Sequence, residues 1–250
     1  MFKNIIEFST HEDLLEDKLL QPIPAKQDIP NWYKNLEKHS INNFSIKGCI
    51  PVRDMIMGGY LLKLPITMMI DFNKFNPEIN KKDVFVKYGR IENMEKEKLM
   101  EYNINFDNSA HATEQLGDES PHIKRNKFFA VPKILNPFLI KTPPGYSCLF
   151  IPPQHRSRDY FEILPAIVDT DKYFNFINFP YTWCGEKKEN FNVVIKKGTP
   201  YVQVIPFKRE NWKYILTKIN QKKISKFNVR YNTNLLNIYL KNIWSKKTWN

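Results

Sequence analysis

Cysteine, glycine and long apolar runs are scarce in this sequence. The 250 residues include 3 Cys and 8 Gly, against 17 Pro. No stretch approaches the roughly 18 uninterrupted apolar residues of a membrane-spanning helix, and residues 1–10 lack the features of a signal peptide. Cys49, Cys148 and Cys184 are far apart and form no CxxC pair, which predicts reduced, buried thiols. We therefore expect a cytoplasmic chain without a membrane span.

Common catalytic motifs are also missing. The chain has no Walker loop and no GxGxxG, GxSxG or HExxH pattern, so the usual signals of P-loop, dinucleotide-binding, serine-hydrolase and zinc-protease sites are absent. His111 and His122 lie in a polar segment with Glu114, Asp118 and Glu119. Such side chains can bind a metal, but their spacing fits no compact metal motif. A surface loop is the alternative interpretation.

Short apolar runs, broken by Pro, Gly and Asn, are what the sequence has in abundance. This rhythm predicts a mainly β fold, a sandwich or a distorted barrel, rather than a βαβ fold. The predicted strands between residues 128 and 207 are Phe128–Val131, Phe138–Lys141, Ser147–Ile151, Phe161–Val168, Phe174–Phe179, Phe191–Ile195 and Tyr201–Pro206. Earlier strands are predicted at Ile46–Val52, Tyr60–Ile70 and Val84–Tyr88, with a turn at Gly58-Gly59.

Helices are expected at the two ends of the chain. Residues 1–45 are predicted to be an irregular lead-in with one helix from about Ser9 to Leu20 and a short one at Asn31–Leu36. Beyond Glu210, apolar residues recur every three to four positions, which predicts two amphipathic helices. The first contains Trp212, Ile215 and Ile219, and the second contains Leu235, Leu236, Tyr239, Leu240 and Ile243. We expect a β domain over 1–207 and a helical tail over 208–250.

The tail is strongly basic. Residues 208–250 contain 11 Lys and Arg and one acidic residue, whereas the whole chain contains 38 basic and 26 acidic residues. Cations interleaved with aromatic rings are typical of surfaces that bind nucleic acid. The candidate residues are Lys208, Arg209, Lys213, Lys222, Lys223 and Trp212. An acidic protein or membrane surface is another partner, and two helices with merely solvated lysines are the non-functional alternative.

An ordered series of elements from residue 141 to 207 resembles the dUTP pyrophosphatase and dCTP deaminase superfamily. The elements are Thr142-Pro143-Pro144-Gly145-Tyr146, His155-Arg156-Ser157, Leu164-Pro165-Ala166-Ile167-Val168-Asp169-Thr170-Asp171, Asn178, and Lys197-Gly198-Thr199-Pro200 continuing to Gln203. The whole chain also resembles an uncharacterised protein family common in marine bacteriophages. The resemblance implies a dUTPase-like β core, a homo-oligomer and, for a viral protein, a location in the host cytoplasm.

The same resemblance implies a Mg²⁺-dependent nucleoside triphosphate pyrophosphohydrolase. Arg156 and Ser157 would bind phosphate, since a guanidinium fork and a hydroxyl match its geometry and charge. Gln203 belongs to this phosphate-binding group or bonds the backbone of a neighbour. Asp169 would be the general base that deprotonates a water, and Asp171 would help to hold Mg²⁺.

Two non-catalytic functions stay open. In the first, the β core is a scaffold and the basic tail contacts nucleic acid or an acidic host protein. In the second, the protein is a structural or assembly component of a virus particle. Under either alternative, Asp169 and Asp171 are turn formers that accept backbone hydrogen bonds, and Arg156 is a solvated or ion-paired loop residue.

Overall fold

Strands dominate the described part of the chain. The computed structural model describes residues 4–38, 45–72, 84–88, 110–111, 113–117, 119–122, 131–157, 160–183, 191–232 and 239–249. Its strands are β1 (Glu7–Ser9), β2 (Ile23–Pro24), β3 (Tyr60–Lys63), β4 (Met68–Phe72), β5 (Val84–Tyr88), β6 (Ala110–His111), β7 (Val131–Ile134), β8 (Leu139–Lys141), β9 (Tyr146–Ile151), β10 (Phe161–Ile163), β11 (Ala166–Val168), β12 (Phe179–Trp183), β13 (Phe191–Ile195) and β14 (Pro200–Lys208). The expectation of a mainly β fold is confirmed.

The helices are few and short. They are α1 (Glu12–Leu15), α2 (Asn31–Asn35), α3 (Ile50–Met57), α4 (Thr113–Leu116) and α5 (Gln221–Asn232). Single turns of 3₁₀-helix occupy Ala25–Gln27 and Ile46–Gly48, and a π-helical turn occupies Tyr239–Ile243. None of the helices in the described ranges is long and apolar enough to cross a membrane.

The described strands form four sheets, in which most pairings are antiparallel. Their orders are β11-β9-β14-β3-β2, β10-β12-β7-β6, β13-β4-β5 and β1-β8. The nine-residue β14 is central to the first sheet, where it pairs with β3 on one side and β9 on the other. These orders have free ends, so the described strands form no closed barrel.

The core is one apolar cluster to which strands of all four sheets contribute. Alternating side chains of β9 and β14, including Cys148, Phe150, Val202 and Val204, point into one apolar cluster, as the two-residue period of a strand requires. The ring of Phe150 lies 5.3 Å from that of Phe179 on β12. Burial of such side chains contributes roughly 1.5–3 kcal/mol each, so this cluster is the main source of stability in the β unit.

The chain divides into two compact units. The larger contains residues 1–23 and 59–208, and the smaller contains residues 24–58 and 209–250. The division after Lys208 falls beside the boundary drawn from the charge distribution. The sequence predicted that residues 24–58 belong to the β domain. In the structure they belong to the same compact unit as the tail.

Proline explains most differences between the expected and observed strands. The strand predicted at Ile46–Val52 is wrong: a 3₁₀ turn and then α3 occupy these residues, with Pro51 in the first helical turn, where its missing N–H costs nothing. The strand predicted at Tyr60–Ile70 is divided at Pro65 into β3 and β4. The run Phe161–Val168 is likewise divided at Pro165 into β10 and β11, which join different sheets.

Three further boundaries differ from expectation. The N-terminal helix ends at Leu15 rather than near Leu20. The strand predicted at Phe174–Phe179 is wrong, because these residues are irregular and β12 begins at Phe179. The segment predicted at Phe128–Val131 lies mostly outside the described residues, and β7 begins at its last residue, Val131.

The tail also departs from the prediction of two helices. The first predicted helix, around Trp212 to Ile219, is wrong, because residues 209–220 have no regular secondary structure. The helix instead begins after Asn220, whose Oδ1 accepts a 3.1 Å hydrogen bond from the backbone N–H of Lys223, as in an N-cap. Of the second predicted helix, only Tyr239–Ile243 is described, as a π-helical turn.

Candidate functional site

The loop after β9 carries two of the predicted phosphate-binding residues, Arg156 and Ser157. The side-chain Oε1 of Gln203 accepts a 3.0 Å hydrogen bond from the backbone N–H of Gln154 in this loop. Gln203 is buried in β14, opposite Ile151 at the end of β9. Its amide therefore anchors the loop to the sheet, which is a backbone contact of the kind that the sequence suggested.

His155 bends the loop immediately before Arg156. Its φ angle is 56°, in the left-handed region that non-glycine residues adopt uncommonly and that His tolerates better than most. Strained backbone of this kind costs about 1–3 kcal/mol and is concentrated at functional sites. The bend leaves Ser157 exposed and Arg156 half-buried.

A cavity of about 90 Å³ lies beside this loop in the β unit. Arg156, Ser157, Glu162 and Tyr201 are among the side chains that line it. Since a water molecule takes about 30 Å³ in the liquid, the cavity has room for a phosphate-sized group but falls short of the roughly 300–1,000 Å³ of whole-ligand pockets. One chain therefore does not enclose a whole nucleotide beside this loop.

Tyr201 also lines this cavity, although the sequence did not single it out. Its side chain is buried, and its hydroxyl has no hydrogen-bond partner among the described residues. Burial raises the pKa of Tyr201 above its ordinary range, so the hydroxyl stays neutral and able to donate. A buried hydroxyl is ordinarily satisfied by water or a ligand when the protein supplies no partner. The only feature of the sequence that could have indicated Tyr201 is its position directly after Pro200 in the last strand.

Asp169 and Asp171 lie on the turn that follows β11. The Oδ1 of Asp169 accepts a 2.7 Å hydrogen bond from the hydroxyl of Ser147. The Oδ2 of Asp171 accepts a 2.8 Å hydrogen bond from the backbone N–H of Gly145. Both carboxylates thus connect this turn to the residues that open β9.

The backbone conformation of Gly145 allows the turn before β9 to bond to the turn after β11. Its φ angle is +86°, which only glycine adopts without strain, and this conformation accompanies the N–H bond to Asp171. Thr170 lies between Asp169 and Asp171 in the chain, and its hydroxyl is 2.7 Å from that of Thr142. Gly145 thus forms a tight turn directly before β9.

The two halves of the predicted site lie at opposite ends of β9. Asp169 faces Ser147 at the start of the strand, whereas Arg156 follows its last residue, Ile151. The four residue steps from Ser147 to Ile151 span about 13 Å of strand. Within one chain, therefore, the proposed general base and the phosphate-binding candidates do not converge.

A second cavity, of about 180 Å³, lies on the Asp171 side. Lys141, Asp171, Lys172 and Tyr173 are among its lining residues. Tyr173 exposes 45% of its surface, so a ring face is accessible beside two cations and a carboxylate. This cavity shares no lining residue with the one around Arg156.

No metal centre is assembled in the described residues. No group of three or more His, Cys, Asp and Glu side chains in those ranges could hold an ion. The side chain of His111 lies outside the described part, and the backbone N–H of His122 donates to Ser120 Oγ at 3.3 Å. Asp171 has one carboxylate oxygen engaged by Gly145 and lies away from the phosphate candidates, so one chain does not bring together the groups of a Mg²⁺–phosphate site. Mg²⁺ binding stays a prediction.

Cys148 has the surroundings of a core residue rather than a nucleophile. Burial raises the pKa of its thiol to about 11, although a hydrogen bond from Thr170 acts in the opposite direction. The thiol is therefore protonated at neutral pH, and only the thiolate is nucleophilic. Cys49 differs from the expectation of burial, because it is exposed.

No protein-family model and no curated protein matches this chain. Functional assignment therefore depends on the geometry of the chain itself.

Exposed cations and aromatic rings are concentrated in residues 208–232, from the last residue of β14 to the end of α5, which we call the basic segment. It contains eight Lys and Arg and one acidic residue. Trp212 and Tyr214 expose 86% and 89% of their surfaces. Lys213 and Lys218 lie in its irregular part, and Lys222, Lys223 and Lys226 lie on α5. Cations and aromatic faces are thus presented together to solvent.

Proposed function

We propose that this protein binds single-stranded nucleic acid through the basic segment, with the β unit as its scaffold. The observation that carries the proposal is the exposure of Trp212 and Tyr214 among eight cations. Lysine and arginine neutralise backbone phosphates and release counterions, while unpaired bases stack on exposed rings. Duplex DNA keeps its bases stacked internally, so the exposed rings favour a single strand.

Charge complementarity favours this partner over an uncharged one. Lys208 and Arg209 open the segment, Lys213 flanks Trp212, and Lys222 and Lys223 begin α5. Each base stacked on an aromatic side chain contributes roughly 1–3 kcal/mol, largely without regard to sequence. We therefore expect salt-sensitive binding with little sequence preference.

Fluorescence anisotropy of a labelled oligonucleotide, titrated with the full chain at several salt concentrations, tests the proposal. Replacing Lys222 and Lys223 by Gln should weaken binding and reduce the slope of log K against log salt by about 1.4, since each phosphate contact on a single strand contributes about 0.7. Trp212→Ala should weaken binding without changing that slope. Lys18→Gln with Lys172→Gln is the matched control, because it removes two exposed charges from outside the segment.

Point substitutions are preferable to removal of residues 208–250. The tail and residues 24–58 form one compact unit, so truncation would remove part of a folded body. Binding that ignores salt, or that the Lys222 and Lys223 changes leave intact, would contradict the proposal. Equal affinity for polyglutamate would instead identify an acidic protein surface as the partner.

Nucleotide phosphate binding at the Arg156 cavity is the second candidate. It is favoured by the shared position of Arg156, Ser157 and the buried Tyr201 hydroxyl, since guanidinium and hydroxyl donors suit a phosphate. Hydrolysis would require Asp169 to reach that phosphate, which one chain does not provide. A second copy of the chain in a homo-oligomer would have to supply it.

Release of phosphate and pyrophosphate from a panel of nucleotides with Mg²⁺ tests this candidate. Turnover that Asp169→Asn abolishes and Arg156→Gln weakens would establish a nucleotide hydrolase. Binding without turnover, lost in Arg156→Gln, would establish a nucleotide-binding module. Neither binding nor release from any nucleotide would remove the candidate.

A further inference from the structure

A separate cavity of about 280 Å³ lies wholly within the smaller unit. Helix α3 and the last residues of the chain contribute to its wall. Four cationic side chains line it, namely Lys26, Arg53, Lys246 and Lys247, together with the indoles of Trp244 and Trp249. A single carboxylate, that of Asp54, is present among the lining residues.

Asp54 lies close to three of the other residues that line the cavity. Its Oδ2 accepts a 2.7 Å hydrogen bond from the Nε1–H of Trp244 and a 2.8 Å bond from the Nζ of Lys247. Its Oδ1 lies 3.6 Å from the guanidinium of Arg53. Burial alone would raise the pKa of Asp54, but the hydrogen bonds from Lys247 and Trp244 and the charges of Lys247 and Arg53 lower it overall. The carboxylate is thus ionised and engaged, and the cations still outnumber it.

Two cations lie close to the ring of Trp244. The guanidinium carbon of Arg53 lies 5.2 Å from the centre of its ring, and the Nζ of Lys247 lies 5.6 Å from that centre. Both distances are within the range of cation–π attraction. Trp249, which is half-buried, provides the second indole of the wall. The aromatic and cationic groups are therefore arranged before any ligand arrives, which lowers the entropy cost of binding.

The side chains that line this cavity suit a ligand with an anionic group and a flat aromatic group. An excess of Lys and Arg over carboxylate attracts an anion, and Arg in particular matches phosphate. Indole rings pack against flat aromatic groups. The volume is close to the lower end of ligand pockets, roughly 300–1,000 Å³, so it suits one nucleotide rather than a folded partner.

We propose that this cavity binds the phosphate and base of a single nucleotide, either a free nucleotide or the 5′-terminal nucleotide of a strand. Arg53 and Lys247 contact the phosphate, and Trp249 packs against the base. The proposal stands on residues outside the basic segment and does not require binding there.

Calorimetric titration of the full chain with AMP, supported by quenching of tryptophan fluorescence, tests the proposal. Trp249→Leu should weaken AMP binding roughly tenfold, since it removes the packing surface for the base. Asp54→Asn should strengthen binding several-fold, because it removes the one negative charge from the wall while an Asn oxygen can still accept from Trp244. Arg53→Gln should weaken binding of AMP and of inorganic phosphate alike.

The two sources of the nucleotide are distinguished by competition. A 5′-phosphorylated oligonucleotide that displaces AMP better than its 5′-hydroxyl form identifies a strand end. AMP that outcompetes both identifies a free nucleotide. Inorganic phosphate that binds as tightly as AMP overturns the proposal, because the base is then not recognised.

The control variant with Lys222→Gln and Lys223→Gln separates this site from the proposed nucleic-acid interface. AMP affinity should be unchanged in that variant even where oligonucleotide affinity falls. Absence of AMP binding at millimolar concentration overturns the proposal, as does an affinity that neither Trp249→Leu nor Asp54→Asn changes. The Asp54 variant keeps the test decisive if Trp249→Leu fails to fold, since the expected gain in affinity cannot arise from unfolding.

Discussion

Asp169 accepts a 2.7 Å hydrogen bond from Ser147 at one end of β9, and Arg156 follows the other end of the same strand. Strand β11, which leads into Asp169, runs antiparallel to β9, with Val168 opposite Cys148. The residues that follow β9 and those that follow β11 therefore lie at opposite ends of this strand pair. The sequence order that resembles a dUTP pyrophosphatase does not by itself gather a site within one chain.

Substitution at this hydrogen bond measures how much Asp169 contributes to the stability of the fold. Ser147→Ala should lower the free energy of unfolding by about 1 kcal/mol, the usual contribution of one hydrogen bond. Asp169→Asn should cost less, because the amide oxygen of Asn can accept from the same hydroxyl. Urea denaturation of both variants measures these changes. A larger loss in Asp169→Asn than in Ser147→Ala would show that the negative charge itself stabilises the fold.

Replacing Gly59 by Ala should destabilise the fold much more than replacing Gly145 by Ala. Both have positive φ angles, +70° and +86°. A Cβ on Gly59 would lie 2.0 Å from the carbonyl oxygen of Val204, whereas nothing lies within 4 Å of one on Gly145. Gly145→Ala should therefore cost about 1 kcal/mol from backbone strain alone.

Gly59→Ala should cost about 3 kcal/mol or more, because strain and a clash with the backbone of β14 act together. Thermal denaturation of the two variants, followed by circular dichroism, provides the comparison. Similar losses in melting temperature would contradict the close approach of β3 to β14 at Gly59.

The strands could be predicted because their signal is local. Phe191–Ile195 is a strand with the predicted limits, Leu139–Lys141 differs from the prediction by one residue, and β14 extends the predicted Tyr201–Pro206 at both ends. Each combines apolar or β-branched residues with nearby Pro or Gly. The helices were predicted less well, because a three-to-four-residue period also arises in an irregular segment such as 209–220. Only the packing of one face makes that period a helix.

The candidate sites required information that no local pattern contains. Trp244 and Asp54 form their hydrogen bond across a separation of 190 residues. The tail was recognisably basic, but nothing in its composition indicated that Arg53 and Asp54 lie beside it. Similarly, Tyr201 acquires its significance only from its burial next to Arg156.

The low pKa of Asp54 predicts how the smaller unit responds to acid. Burial opposes ionisation, but hydrogen bonds from Lys247 and Trp244 and two nearby cations lower the pKa below its ordinary value. A depressed pKa means that Asp54 stabilises the folded state above about pH 4, the ordinary value for Asp. That contribution is lost as the pH falls further and the carboxylate is protonated.

Stability measured from pH 7 to pH 2, with tryptophan fluorescence as the probe, tests this expectation. The wild type should be more stable than Asp54→Asn at pH 7, and the difference should diminish below pH 4. Added salt should reduce the difference as well, because Lys247 is half exposed at 49% and its interaction is partly screened. A difference that stays constant across the acid range would mean that the carboxylate charge contributes nothing.

Cysteine reactivity distinguishes the two thiols of the described residues. Cys49 is exposed, whereas Cys148 is fully buried and burial raises its pKa to about 11. Only the thiolate attacks iodoacetamide and displaces its iodide, so at pH 8 Cys49 should be modified within minutes and Cys148 only after unfolding. Peptide mass spectrometry assigns each modified site, and urea-unfolded protein is the control in which both should react. Rapid labelling of Cys148 in the native protein would contradict its place in the core between β9 and the Thr170 turn.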